Sequence, residues 1–155
     1  MKKLFAYIVA ILLLSACSSD AASSTKPSQP ESDKGAVPMK LKIYVNDTTF
    51  TATLNDNSSA KALVELLQKG DLTLDMEDFS NFEKVADLPI TLPRNDTPTD
   101  TDAGDLILYL GKRIVIYYDK NSWNFTPLGK IDNVNKKRLK QILGDGNATV
   151  TFSVK

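Results

Sequence analysis

LILYLGKRIVIYY, residues 106–118, is the stretch that decides the predicted fold. Two runs rich in β-branched and aromatic residues, 106–110 and 113–118, flank Gly111-Lys112, a pair suited to a two-residue turn with glycine first. This pattern predicts a β-hairpin. Both runs are almost continuously apolar, which indicates central strands that are covered on both faces.

A second hairpin is predicted on the N-terminal side of the first. Apolar and polar residues alternate over residues 41–45, the alternation breaks at Asn46-Asp47, and it resumes over residues 50–54. Alternation with a period of two is typical of a strand with one buried face. Residues 41–54 are therefore expected to pair with each other as two antiparallel strands.

One helix and one strand are expected between the two hairpins. Ser58 or Ser59 can cap the helix, and Gly70 can end it. The alternation of residues 72–76 predicts a strand. Residues 77–105 carry three prolines among many Asp and Thr residues, and we expect them to form a long loop.

The C-terminal part predicts a strand, a helix and a last strand. Residues 123–131 form the strand, Asn133 is the expected N-cap of the helix, Gly144 ends it, and residues 149–154 close the domain. Six to eight strands and two short helices result. The fold class is therefore mainly β, a small barrel or sandwich closed by helices.

The order of these elements resembles that of the cyclophilin-like fold proteins of bacteria. The resemblance covers nearly the whole domain and implies a closed barrel of about eight strands, capped by two short α-helices. The segments that carry it are KIYV at 42–45, FTATL at 50–54, DLP at 87–89, LP at 92–93, AGDL at 103–106, LGKI at 128–131 and LKQIL at 139–143.

The resemblance does not extend to the residues of prolyl isomerase catalysis. True isomerases of this fold place an arginine beside a Phe-rich proline pocket, with a Gln-Gly-Gly stretch, a histidine and often a tryptophan. This chain has no histidine and no Gln-Gly pair, and Arg94, Arg113 and Arg138 stand outside a Phe-His-Arg setting. We therefore assign no catalytic residue and expect no cofactor.

Aromatic residues are concentrated in the decisive hairpin and the strand after it. Because side chains alternate across a strand, Tyr117 and Tyr118 must face opposite sides, and at least one is expected at a surface or pocket mouth. The aromatic residues form either barrel core and rim or a groove for an extended peptide or small ligand. The residues predicted to line such a groove are Arg94, Tyr109, Arg113, Tyr117, Trp123 and Phe125.

Acidic residues crowd residues 95–105. Asp100-x-Asp102 begins like a calcium-binding loop, but Asp105 stands where such a loop needs glycine, and Gly111 stands where it needs glutamate. We therefore predict a solvated acidic loop and assign no metal site.

The charges of the chain are balanced. Removing residues 1–16 removes two lysines, which leaves 17 basic and 19 acidic residues and a net charge of −2. This balance excludes an electrostatic case for nucleic-acid binding. Carboxylate pairs such as Glu77-Asp78, or Glu83 with Asp87, carry no mark of an acid–base site and are interpreted as surface charge.

The N-terminus resembles a bacterial lipoprotein signal peptide. Lys2-Lys3 precede the apolar residues 4–14, and LSAC at 14–17 resembles a lipobox. The apolar run is shorter than the roughly 20 residues of a membrane-spanning helix. The resemblance implies that residues 1–16 are removed, that diacylglycerol alkylates the sole cysteine, Cys17, and that a fatty acid such as palmitate acylates the new amine.

Three segments follow from this reading: a signal peptide at 1–16, a lipidated cysteine with a Ser- and Pro-rich disordered tether at 17–38, and the domain at 39–155. The expected location is the extracytoplasmic face of the cell membrane, or an outer membrane if the host has one. The expected partner there is membrane lipid, bound through Cys17.

Three functions are compatible with the sequence. The first is a monomeric, non-catalytic module of the cell envelope that binds a peptide or small ligand. The second is a divergent prolyl isomerase that polarises the prolyl amide with Arg94 or Arg113. The third is a structural partner of another envelope protein, recognised through residues 95–105.

Overall fold

Nine strands and two helices follow one another in residues 39–155, the part of the chain that the computed structural model describes. The predicted signal peptide, Cys17 and the predicted tether lie outside the described residues. No helix within residues 39–155 is long and apolar enough to cross a membrane. The elements are β1 (Lys40–Val45), β2 (Thr48–Leu54), α1 (Ser58–Gln68), β3 (Leu72–Phe79), β4 (Glu83–Asp87), β5 (Thr97–Asp100), β6 (Asp105–Tyr109), β7 (Arg113–Tyr117), β8 (Ser122–Ile131), α2 (Lys136–Leu143) and β9 (Ala148–Ser153).

Eight of the strands form a closed antiparallel barrel in the order β2-β1-β9-β3-β4-β7-β6-β8, with β8 returning to β2. The closing pairs are Ala52 with Ile131, Thr53 with Lys130, and Leu54 with Gly129. A Cβ atom on Gly129 would collide with the Thr53 carbonyl oxygen, so glycine permits this close approach. The predicted mainly β, cyclophilin-like barrel of about eight strands with two helices is confirmed.

The barrel interior is filled by the inward members of each alternating strand. Both helices add leucines to the same core, Leu63 and Leu67 from α1 and Leu139 and Leu143 from α2. Burial of each such aliphatic side chain contributes roughly 1.5–3 kcal/mol to the free energy of unfolding. The strand residues with at most 1% exposure in this core are Leu41, Ile43, Val45, Ala52, Met76, Leu106, Leu108, Ile114, Ile116, Leu128, Val150 and Phe152.

The N-cap of α1 is Asn57, so the predicted cap at Ser58 or Ser59 is wrong. The Asn57 side chain accepts a hydrogen bond from the Ala60 amide at 2.8 Å, which satisfies one free N–H of the first turn. Ser59 is buried, and its hydroxyl donates to the Pro93 carbonyl oxygen at 2.6 Å. Its hydroxyl therefore ties the helix to the segment before β5.

The N-cap of α2 is Asn135 and not the predicted Asn133. The Asn135 side chain accepts from the Arg138 amide at 2.9 Å. Asn133 has a φ of 52° and belongs to the turn that precedes the helix. Asparagine favours both positions because its short side chain tolerates the left-handed region and also caps helices, so the residue type alone did not separate them.

The predicted loop over residues 77–105 is wrong in three places. β3 extends to Phe79, and both β4 and β5 lie within this range. β5 has the sequence TPTD and pairs with the first half of β8 on the edge of the barrel. Neither new strand has the apolar alternation that identified the others, since β4 reads EKVAD.

The turn of the decisive hairpin is centred on Leu110-Gly111, one residue earlier than predicted. Both residues have positive φ, 52° and 74°, and the Lys112 amide donates to the Tyr109 carbonyl oxygen at 3.1 Å. Positive φ at both central residues is the type I′ geometry that matches the twist of the flanking strands. Glycine is therefore the second central residue of the turn.

Candidate functional site

A second apolar cluster lies on the outer face of the barrel, separate from the interior core. Val85 pairs with Val115, and Val115 pairs with Ile107, so a row of outward-facing apolar side chains crosses β4, β7 and β6. Tyr117 and Phe125 complete the buried part of this cluster. The prediction that the decisive strands are covered on both faces agrees with this arrangement.

An open groove of about 360 Å³, which we call the aromatic groove, lies over this cluster. Five of the residues predicted for a ligand groove line it: Tyr109, Arg113, Tyr117, Trp123 and Phe125. Its other lining residues are Phe79, Phe82, Glu83, Val85, Val115 and Asn121.

The rings of the groove form a continuous row. Phe82 stacks on Tyr117, with ring centroids 6.1 Å apart and planes 14° apart, and Tyr117 meets Phe125 at 5.6 Å. The row continues from Phe125 to Tyr109 at 6.1 Å and from Phe82 to Phe79 at 5.9 Å. These separations are within the range of favourable ring pairs, so the rings support one another as a fixed wall.

Two large apolar side chains of the groove are exposed. Trp123 is 65% exposed and Phe79 is 55% exposed. Their neighbours Tyr117 and Phe125 are buried, at 2% and 4%. The groove therefore has a packed aromatic floor and two rings that a ligand could cover.

Arg94, the sixth residue predicted for the groove, is not among the lining residues. Its guanidinium pairs with Asp96, whose carboxylate also accepts from the Thr126 hydroxyl. These bonds hold the pKa of the Asp96 carboxyl below its usual value. Arg94 is thus engaged at the start of β5 rather than in the groove.

Phe79 and Phe82 were not predicted as groove residues because they fall in the segment interpreted as a loop. They flank Ser80-Asn81, which have φ values of 51° and 59°, and the Phe82 amide donates to the Phe79 carbonyl oxygen at 3.2 Å. This is a tight hairpin turn between β3 and β4. Two phenylalanines around a Ser-Asn pair were the signal that could have identified it.

Glu83 is the carboxylate of the aromatic groove, and its interpretation as surface charge is wrong. The residue is 9% exposed, and it lies beside the Tyr117 hydroxyl. Burial raises the pKa of the Glu83 carboxyl, and the neighbouring Tyr117 hydroxyl only partly opposes this effect. Asn121 donates to the Tyr117 hydroxyl at 3.3 Å, which helps to fix the ring.

Arg113 stands at the opposite end of β7, beside Tyr109. Its Nε donates to the Asp87 carboxylate at 3.0 Å, and both side chains are more than half exposed. An ion pair this exposed contributes at most about 1 kcal/mol. The Arg113 side chain can therefore exchange Asp87 for a ligand at little cost.

Asp78, also interpreted as surface charge, belongs to a closed polar cluster on the other face of the same strands. We call this the inner cluster: Asp78, Lys84, Tyr118 and the carbonyl oxygens of Gly144 and Gly146. The Lys84 ammonium is fully buried and donates to Asp78 at 2.6 Å, to Gly144 at 3.0 Å and to Gly146.

The Tyr118 hydroxyl donates to the same Asp78 oxygen at 2.7 Å. Burial alone would raise the pKa of the Asp78 carboxyl, but the bonds from Lys84 and Tyr118 outweigh it and hold that pKa below its usual value. Tyr117 and Tyr118 therefore face opposite sides, as predicted, and Tyr117 is the one that lines a groove.

Two further clefts adjoin the aromatic groove. One, of about 340 Å³, shares Phe79, Val85 and Arg113 with the groove and adds the carboxylates of Asp75, Glu77 and Asp87. The other, of about 310 Å³, shares Trp123 and includes Asp100. The three depressions are therefore contiguous, and both adjoining clefts contain carboxylates.

A larger depression of about 690 Å³ lies along α2, lined by Lys136, Lys137, Lys140, Gln141, Gly144 and Asp145. It has no aromatic lining. Lys136 pairs with Asp119, and Lys140 donates to the Asn81 side chain at 3.1 Å. Its shallow, solvated character makes it a weaker candidate than the aromatic groove despite its size.

The acidic residues of 95–105 are engaged within the domain. Asp100 accepts from the Ser122 hydroxyl at 2.6 Å, and Asp105 pairs with Lys130 at 2.7 Å. Asp102 accepts from the Ala103 amide at 2.8 Å. Within residues 39–155, no group of three or more Asp, Glu, Cys or His side chains is placed to hold a metal ion.

Comparison with known proteins gives two matches, and no curated protein matches the chain. Residues 1–18 match the prokaryotic membrane lipoprotein lipid attachment site, which supports anchoring in a membrane. Residues 43–153, more than two thirds of the chain, match the cyclophilin-like family, from within β1 to the end of β9. The chain is a membrane-anchored lipoprotein and belongs to the cyclophilin-like family.

Proposed function

We propose that this protein binds an extended peptide in the aromatic groove, at the extracytoplasmic face of the membrane, without catalysing a reaction. The observation that carries the proposal is the continuous row of rings from Phe79 to Tyr109 on the outside of a barrel whose interior is already filled. Apolar surface of this kind is enriched at sites that bind partners.

The shape of the surface favours an extended ligand. The groove and its two adjoining clefts are joined through Phe79 and Trp123, the two most exposed of its rings. A peptide in extended conformation places alternate side chains on one face at intervals of about 6.5–7 Å, so several side chains could reach successive depressions. Aromatic anchors supply much of the energy of such interfaces.

The non-catalytic part of the proposal is supported by the side chains that the groove offers. The chain has no histidine and no Gln-Gly pair, and the resemblance to prolyl isomerases would require both. The ionisable groups of the groove are Glu83, Arg113 and the two tyrosines. Burial raises the pKa of Tyr117, which keeps this hydroxyl protonated.

Arg113 supports one alternative, a divergent prolyl isomerase. It lies in the groove beside Tyr109, and its exposed pair with Asp87 leaves it free to turn toward a bound prolyl amide. Donation to the amide nitrogen would weaken the partial double bond that creates a rotation barrier of about 18–20 kcal/mol. Arg94 has no such access because it does not line the groove.

Trp123 provides a direct test of peptide binding, since it is the only tryptophan of the chain and lines the groove. The full lipidated chain in detergent micelles is titrated with capped octapeptides, and tryptophan fluorescence is recorded. We expect a saturable blue shift as a ligand covers the exposed indole. The shift should be lost in Tyr109→Ala and kept in Tyr44→Ala, a matched variant of a half-buried tyrosine on β1.

A flat titration across the peptide panel, in a chain that remains folded by circular dichroism, would contradict the binding function. The same preparation is then used in a protease-coupled assay of prolyl isomerisation. We expect the uncatalysed rate. A faster rate that is lost in Arg113→Ala would replace the binding proposal with the isomerase.

A further inference from the structure

The aromatic groove contains a carboxylate in an unusual setting. Glu83 is nine-tenths buried against rings, while no lysine is among the residues that line the groove. Arg113, the one cationic side chain there, bonds Asp87 on the neighbouring strand. A buried carboxylate without a cationic partner carries a desolvation cost that a positively charged ligand would relieve.

The inner cluster shows the arrangement that the groove lacks. There, the Lys84 ammonium bonds the Asp78 carboxylate at 2.6 Å and lies 5.8 Å from the centre of the Tyr118 ring. The groove has two of these three components, Glu83 as the carboxylate and Tyr117 as the ring. These two residues directly precede Lys84 and Tyr118 in the chain. The missing component is the cation.

The charges around the groove also favour a positively charged ligand. The groove and the cleft that shares Phe79 with it contain four carboxylates, Glu83, Asp75, Glu77 and Asp87, against the single guanidinium of Arg113. This surface therefore attracts positive charge. The faces of its rings favour cations as well, through the negative potential of the π system.

We propose that the aromatic groove selects extended peptides that carry a lysine or arginine, whose cationic group pairs with Glu83 against the rings while flanking residues lie in the acidic cleft. This inference rests on the proposed function and specifies its ligand. A peptide fits better than an isolated amine because two further depressions adjoin the aromatic groove, one through Phe79 and the other through Trp123.

The test compares two capped octapeptides that differ at one central position, lysine in one and norleucine in the other. Norleucine keeps the aliphatic stem and removes the charge. Trp123 fluorescence of the full chain in zwitterionic micelles gives both dissociation constants. We expect the lysine peptide to bind about ten-fold more tightly, the scale of one charge-assisted contact.

Glu83→Gln should reduce this ten-fold preference to nearly one, whereas Glu65→Gln, a control on the exposed face of α1, should leave it unchanged. The peptide substitution keeps the test valid even if Glu83→Gln folds poorly. Equal binding of both peptides to the native chain would overturn the cationic preference and leave the binding function standing. Absence of binding by either peptide would overturn both proposals.

Discussion

The two faces of strands β4 and β7 place similar groups in opposite environments. Glu83 and Tyr117 face the open groove, while Lys84 and Tyr118, which follow them directly in the chain, belong to the inner cluster. In the inner cluster, the ammonium has three oxygen acceptors and the phenol has a carboxylate. The comparison teaches that polar groups in this barrel stabilise the fold where charged partners surround them, and that Glu83, which has no cationic partner, is available for recognition.

The largest expected effect is on the inner cluster. Lys84→Met leaves the Asp78 carboxylate and two carbonyl oxygens without their common donor, so the free energy of unfolding should fall by about 3–5 kcal/mol. Urea titration followed by circular dichroism measures this loss. Lys137→Met, at an exposed position on α2, should change the same quantity by less than about 0.5 kcal/mol. A loss below about 1 kcal/mol in Lys84→Met would contradict the stabilising role assigned to the inner cluster.

Identical substitutions at the two adjacent tyrosines sharpen the comparison. Tyr118→Phe removes a hydrogen bond to the Asp78 carboxylate and should lower the free energy of unfolding by about 1.5–3 kcal/mol. Tyr117→Phe removes a 3.3 Å bond from Asn121 and the contact of the Tyr117 hydroxyl with the Glu83 carboxyl, whose pKa stays raised, and should lower the free energy of unfolding by about 0.5–1.5 kcal/mol. Thermal denaturation of the two variants side by side gives the difference. Equal losses would mean that the two faces do not differ as described.

The smallest expected effect concerns Glu83 and pH. Because its pKa is raised in the folded state, Glu83 favours folding at low pH, and this contribution is lost as pH rises from the ordinary glutamate range through the raised value. The free energy of unfolding of Glu83→Gln, measured relative to that of the native chain, should therefore be higher at pH 7 than at pH 4, by less than about 1 kcal/mol. Urea midpoints at the two pH values measure this. A variant that is relatively less stable at pH 7 would show that Glu83 has a stabilising partner.

The fold was largely predictable because most of its strands carry their own signal. Apolar alternation over residues 41–45 and 50–54, and the continuous β-branched runs on either side of Gly111, identified both hairpins. The turn was misplaced by one residue because Leu110 adopts a positive φ that leucine rarely takes. Tertiary pairing imposed this conformation, and local sequence preference did not indicate it.

The groove was only half predictable for a physical reason. Its β6, β7 and β8 walls carry the aromatic residues Tyr109, Tyr117, Trp123 and Phe125, whereas its β4 wall lies in EKVAD, where a buried lysine interrupts the apolar pattern. From its residue type alone, Lys84 is expected at the surface. It is buried because it donates to the carbonyl oxygens of Gly144 and Gly146, which lie far from it in the sequence. Such a long-range partnership has no local signature, so the strand that carries Glu83 was predicted as part of a loop.

Side-chain methyl NMR of the full chain in micelles tests the central claim, that the outer face of these strands binds a peptide and the inner face does not. Val85 and Val115 line the groove, while Ile114 and Ile116 on the same strand β7 point into the filled core. On titration with the lysine octapeptide, we predict large shift changes for the two valines and small ones for the two isoleucines. Unchanged valine shifts at a saturating peptide concentration, or changes confined to α2, would contradict the account.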